Sequence, residues 1–329
     1  MEIRNINSKK SFKLKFTSIV CFLFLLYFFS NTLIYAQSSD KNETDYLVPL
    51  GNVIQIDAEL KNLVVRNQVE NSPFILGDSL LSMNNLKLSN YGEFSKILSS
   101  LSTEENITVL VKRGSNEFTL NTTKDKLEEV NFNNLISGFA TLTYIDPKTS
   151  EFGAVGHPIS IGNHRKIEFK NGCISTTTDL NIEKSYRGNV GCINAKRKDT
   201  IGQFTVNDDF GIKGKIVNYN LSNSKKYKVA KLNEVKLGKA EVILQVDSNK
   251  FEKFDIQILD IENQHSAKAK TFKISITDKD LLAKTGGVVQ GMSGTPIVQN
   301  DKIVGAISHA VENNPTLGYG VFIQWMLDQ

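Results

Sequence analysis

A serine stands between two glycines in Gln290-Gly291-Met292-Ser293-Gly294-Thr295-Pro296. Such a turn suits acyl transfer, because a glycine lets the backbone come close to a substrate carbonyl. The N–H groups of Gly291 and Ser293 are then the expected donors to an oxyanion, and Gly294 is expected to leave room for the substrate chain. A hydroxyl needs a base, and histidine titrates nearest neutrality. The chain has four histidines: His157, His164, His265 and His309. His157, in Gly153-Ala154-Val155-Gly156-His157-Pro158-Ile159, follows a strand and is bracketed by glycine and proline, a rigid corner unlike a core position. His164 and His265 fall in polar loops, where solvation is expected. His309 ends a strand near the serine in sequence and is the second candidate base.

The residues alone leave the acid open. Asp179, Asp199, Asp208, Asp209, Asp247, Asp255, Asp260, Asp278 and Asp280 all lie between His157 and Ser293. The three cysteines lack the paired spacing of a zinc site, and no metal or cofactor is called for. Cys21 sits in an apolar run. Cys173 and Cys192, each after a glycine, read either as small half-buried hydrophobes or as one disulfide across a hairpin.

The elements that must position these residues are strands. Alternating runs such as Gly138–Ile145, Ala240–Val246, Phe254–Leu259 and Phe272–Ile276 predict many short strands, hence a barrel or sandwich over residues 123–329. Thr295-Pro296-Ile297-Val298 runs through a turn at Asn300-Asp301 into Lys302–Ser308, and Gly318–Ile323 follows as the next strand. With the serine, that ordered set resembles the nucleophile region of chymotrypsin-like proteases.

Residues 47–122 read as a smaller α+β domain. Strand, Gly77-Asp78 turn, strand, a helix carrying Phe94, Ile97, Leu98 and Leu101, then strand is the pattern of a PDZ domain. The segment 76–84 resembles that fold's most recognisable stretch. Leu50, Gly51, Asn52 and Val53 would be its loop for a peptide's terminal carboxylate, with the next strand edge taking the peptide as an added strand. The span from Val65 to Gly77 is short, so the usual first helix is reduced or missing.

Residues 1–36 carry Arg4, Lys9, Lys10, Lys13 and Lys15 before an apolar run from about Phe16 to Ala36. The charge bias puts the N-terminus in the cytoplasm and the rest outside. The run reads as a single-pass anchor or as a signal peptide cut after Ala36, the anchor being preferred. Residues 37–46 form a polar linker. A net charge of +4 with scattered basic residues argues against a nucleic-acid partner.

Gly153–His157, taken with Thr285–Ile297, resembles the SpoIVB family, the stage IV sporulation serine peptidase of endospore-forming bacteria. The resemblance covers nearly the whole chain. It implies a membrane-tethered peptidase in the space between the two forespore membranes, which cleaves itself and a membrane-bound regulator of sigma-factor processing. It implies Asp278 as the third catalytic residue beside His157 and Ser293, and the order His, Asp, Ser fits a chymotrypsin-like barrel. The rival reading is a catalytically inactive peptide-binding scaffold of the same fold. An esterase is disfavoured, since Gly-Met-Ser-Gly is not the strand-to-helix elbow of those hydrolases.

Overall fold

Period-two burial dominates the chain. In Gly238–Asp247 the residues Ala240, Val242 and Leu244 are buried, and across from them Phe254, Ile256 and Ile258 are buried in Lys250–Ile261. The structure is a computed structural model that describes residues 45–161, 165–248, 250–262 and 266–327. In chain order the first elements are β1 (Tyr46–Pro49), β2 (Val53–Val65), β3 (Ser79–Met83), β4 (Leu86–Lys87), α1 (Tyr91–Ser100), β5 (Ile107–Arg113), β6 (Asn116–Thr122) and α2 (Lys124–Glu128). Then come β7 (Phe132–Ile145), β8 (Glu151–Val155), β9 (Ser160–Ile161), β10 (Arg165–Lys166), β11 (Phe169–Ile182), β12 (Ile193–Asp208) and β13 (Gly211–Ile216). The last are β14 (Tyr227–Val229), β15 (Gly238–Asp247), β16 (Lys250–Ile261), β17 (Phe272–Ile276), α3 (Lys279–Thr285), β18 (Pro296–Gln299), β19 (Lys302–Ala310), β20 (Leu317–Phe322) and α4 (Ile323–Leu327). The protein is mainly β.

Two antiparallel rings close on themselves. The first runs β2, β11, β12, β13, β8, β7 and back to β2. The second runs β15, β16, β17, β20, β19, β18 and back to β15. Closure leaves neither sheet with an open edge. Each barrel has its own core: Ile54, Leu142, Phe152, Ile174 and Phe204 in the first, Val242, Ile256, Ile274, Met292 and Ile307 in the second. Between them lie Leu47, Tyr144, Phe210, Tyr227, Val298, Ile303 and Val321. β1 spans that seam, its first half pairing with β14 and its second with β7.

A third apolar cluster, with Leu63, Phe74, Leu80, Met83, Phe94, Leu98, Val109 and Phe132, fills a module of β3 to β6 and α1. α1 starts at Asn90, whose side chain accepts from the Glu93 N–H, and it buries Phe94 and Leu98. This module is threaded onto the first barrel rather than strung before it. β2 pairs with β11 and β7 through Ile54–Glu59, then with β3 at Leu63 and Val64. The boundary expected at 122/123 is therefore corrected: residues 46–60 are barrel, and the module lies between β2 and β7.

The expected peptide loop is corrected with it. Leu50, Gly51, Asn52 and Val53 are buried inside the barrel pair. Leu50 N–H donates to Thr143 O, Gly51 N–H to Leu142 O, and Val53 N–H to the Gln245 side chain. A Cβ at Gly51 would stand 2.2 Å from the Ile243 carbonyl oxygen, so no peptide terminus fits there. Cys173 and Cys192 are both free. Among the described residues no helix is long and apolar enough to cross a membrane, and the leader over 1–36 lies outside them.

Candidate active site

His157 and Ser293 come from different barrels and meet at the seam. His157 Nε2 lies 3.0 Å from Ser293 Oγ, although 136 residues separate them in sequence. Its other ring nitrogen, Nδ1, lies 2.9 Å from the Pro158 carbonyl oxygen. A carbonyl can only accept, so Nδ1 carries the ring proton. Nε2 is then the bare nitrogen that receives the serine O–H. Burial lowers the His157 pKa from its ordinary value, and the Pro158 hydrogen bond pushes back more weakly. The imidazole is thus held neutral, the form a general base requires.

The histidine loop begins with backbone strain. Ala154 O accepts from Gly156 N–H at 3.0 Å, a three-residue turn around Val155, whose φ is +77°. Positive φ is costly for a β-branched residue. Gly211, opposite Val155 on β13, makes room: its absent Cβ would meet Ala154 O at 2.1 Å. The turn throws His157 out of the β8 direction and toward the second barrel.

The turn that carries Ser293 is held by threonines of β7. Thr141 Oγ1 donates to Gly291 O and Thr143 Oγ1 to Gly294 O, each at 2.7 Å, while Thr141 N–H donates to Ser293 O at 2.9 Å. Thr295 Oγ1 closes the turn on Met292 O at 2.7 Å. All three threonines are fully buried. Among the described residues, Met292, Gly294 and Thr295 N–H groups donate to backbone carbonyls, whereas Gly291 and Ser293 N–H groups do not. Ser293 Oγ also lies 3.3 Å from the Ser308 carbonyl oxygen.

Gly294 serves a purpose different from the one expected. Its φ is +97°, and a Cβ there would stand 2.1 Å from Thr141 O and 2.5 Å from Val155 N. The missing side chain admits β7 and β8 backbone, not substrate. Gly286 and Gly287 behave alike, pressed against Ser185 O and Pro315 O. Ser185, buried on the β11–β12 connection, donates to Val288 O at 2.8 Å and accepts from Gly191 N–H at 2.9 Å.

Asp278 is not brought to His157. Its carboxylate caps α3, with Oδ1 accepting from Asp280 N–H at 2.9 Å and Leu281 N–H at 3.0 Å. Among the described residues, the groups in contact with the His157 ring are the Pro158 carbonyl, the Ser293 hydroxyl and the His309 ring. Asp208 pairs with Lys213 and accepts from Phe210 N–H. His309 lies beside the site, its ring centroid 5.0 Å from that of His157 and its Nδ1 3.1 Å from Ser308 Oγ. It does not approach Ser293 as a base within hydrogen-bond distance. His164 and His265 lie outside the described residues.

The model of SpoIVB peptidase S55 matches residues 130–327, well over half of the chain. The chain belongs to that family of serine peptidases. The SpoIVB match takes in every strand of the second barrel, and both His157 and Ser293 lie inside it. No curated protein matches the chain. Among solved structures it is similar to Rv3671c from M. tuberculosis H37Rv, in the inactive form of a serine-to-alanine mutant. That likeness has 15% identity and a TM-score of 0.30, covering 58% of this chain and 79% of that one.

Sequence reasoning missed Thr141, Thr143 and Ser185. For the threonines a signal existed: two hydroxyls at i and i+2 of an otherwise apolar strand face the same side, and polar residues on a buried face need a partner.

Proposed function

We propose that this SpoIVB-family chain is an endopeptidase of chymotrypsin-like architecture, with Ser293 as nucleophile and His157 as general base. The observation that carries it is the 3.0 Å contact between His157 Nε2 and Ser293 Oγ across the barrel seam. Ser293 Oγ attacks the peptide carbonyl carbon while its proton passes to Nε2. The resulting oxyanion takes hydrogen bonds from the Gly291 and Ser293 N–H groups, which have no backbone acceptor among the described residues. The C–N bond then breaks, the amine leaves with the proton from Nε2, and the acyl group stays on Oγ. Water, deprotonated by the same nitrogen, releases the acid and restores the serine.

The substrate reading follows the family. The apolar run before Ala36 supports tethering to the cell membrane with the barrels outside. A tethered peptidase meets other membrane-bound proteins and its own N-terminal segment, so self-cleavage and cleavage of a membrane-bound regulator of sporulation signalling form the functional reading. The rival inactive scaffold predicts no chemistry at Ser293. Purified protein is treated with an active-site phosphonate and assayed on a peptide library, with Ser293→Ala beside it. Wild type should be labelled at Ser293 and should cut, and the variant should lose about a million-fold in turnover. An unlabelled, folded wild type would favour the scaffold.

A further inference from the structure

Lysines gather beside the second barrel. Residues 225–239 hold six lysines against one acid, Glu234, in a chain whose net charge is only +4. Lys228 of β14 stands in a row with Tyr46 of β1 and Lys302 of β19, cross-strand partners whose side chains share a face. The nearby acids are already engaged: Glu234 pairs with Lys302, Asp301 with Lys225 and Glu241 with Lys253. Lys226, Lys228, Lys231, Lys236 and Lys239 are exposed and form no ion pair among the described residues. The turn over Lys236–Lys239 is pinned from below. Gln299, buried on β18, accepts from Lys236 N–H and donates to Lys236 O and Lys239 O, each at 2.9 Å. That grip holds up Leu237, 63% exposed, between two lysines. Leu259 is exposed as well, next to Ile258, the cross-strand partner of Gly238, and Tyr46 is 48% exposed. Apolar tips ringed by cations match the boundary between lipid headgroups and acyl chains.

We propose that this face docks on an anionic phospholipid bilayer, with its lysines among the headgroups and Leu237 at the acyl boundary. The inference rests on the tethered reading above. Tyr46 opens β1, and nine residues, 37–45, separate it in sequence from Ala36, where the apolar run ends. Nine residues reach at most about 32 Å when fully extended. An anchor in that run keeps the surroundings of Tyr46 nearest the bilayer, and the lysine row starts at Tyr46 itself. Proximity matters because charge attraction fades within about 8 Å at physiological salt. The mixture of side chains favours lipid over nucleic acid. Lysines alone would serve either, but an exposed leucine gains from burial only at the bilayer, and tyrosine is enriched at that interface. Docking by this face fixes the height and tilt of the Ser293 seam over the membrane. The peptidase would then cut only those segments of a membrane-bound substrate that reach that height.

The full chain is reconstituted in nanodiscs of phosphatidylcholine, with and without phosphatidylglycerol, and its lysines are acylated and read by mass spectrometry. Lys226, Lys228, Lys231, Lys236 and Lys239 should react at least about fivefold more slowly in the anionic discs, the factor that one lysine's attraction to such a surface corresponds to. Lys87 on β4 and Lys215 on β13, exposed elsewhere, should react alike in both. High salt should weaken the protection. Leu237→Glu puts a negative charge on an exposed tip, so it should keep the fold and phosphonate labelling of Ser293 while losing most of the protection. Equal acylation of the five lysines in both kinds of disc, with the protein embedded, overturns this inference alone. Protection that Leu237→Glu leaves intact overturns it too. So does protection that appears only on adding a DNA duplex, which would make the face a nucleic-acid surface. A chain that does not enter the discs removes the tethered reading and this inference together.

Discussion

Gly294 and Thr141 are in backbone contact: a Cβ at Gly294 would stand 2.1 Å from the Thr141 carbonyl oxygen. This is where the strand after the nucleophile enters the seam between barrels. The first barrel thus holds the second barrel's serine by backbone and hydroxyl contacts, and supplies the histidine from the neighbouring strand.

Gly294→Ala follows from that contact. The new methyl meets Thr141 O and Val155 N, both backbone atoms that cannot swing away, at a φ of +97° where alanine is already strained. The variant should lose both phosphonate labelling and thermal stability. Wild-type activity in Gly294→Ala would show that the barrels separate freely at the seam.

Ser185→Ala tests the support beneath the nucleophile strand. Two buried partners, Val288 O and Gly191 N–H, lose their bond to its hydroxyl. Leaving such groups unpaired costs about 1–3 kcal/mol each. Part of that should appear as loosened geometry in Gly291 and Ser293, giving kcat lower by about tenfold with KM little changed. A stability loss with full kcat would confine Ser185 to folding.

Val155→Gly weighs strain against burial. Losing a buried valine side chain costs about 1.5–3 kcal/mol. Glycine's extra chain entropy adds roughly 0.5–1, while release of a strained φ returns about 1–3. Urea unfolding should therefore show a net loss of about 1 kcal/mol at the centre of these ranges and no more than about 3. A larger loss would mean that the φ of +77° stores no strain. Turnover should fall more than stability does, because the turn aims His157.

The pH profile follows from the depressed His157 pKa. Only neutral imidazole accepts the serine proton, so activity is present above the folded pKa and lost as pH falls through it. The acid limb of kcat/KM should have its midpoint below about 6.5, the ordinary histidine value. The same shift links to stability. Between the folded and unfolded pKa the unfolded chain binds more protons, so stability rises with pH across that window. An acid limb above the ordinary value would point to a carboxylate beside the ring.

The strand-rich second half was legible in the sequence, and Ser293 and His157 stood out there as a pair that the fold brings into contact, because their signals are local. A glycine-flanked serine, a histidine cornered by glycine and proline, and period-two alternation need only neighbours a few residues away. The same locality misled the reading at Leu50–Val53, and at Asp278 it gave no sign of the helix cap. An aspartate before Lys279-Asp280-Leu281 is also a helix cap, and a glycine loop before a strand is also a barrel turn; sequence does not say which partner wins. Only the folded chain decided that β2 runs on from barrel into module, that Thr141 and Thr143 reach across 150 residues or more to the nucleophile turn, and that His157 Nδ1 meets a carbonyl. Those outcomes depend on closing two six-stranded rings against each other. Closure fixes which hydroxyl or backbone group faces which only after every strand has found both its neighbours.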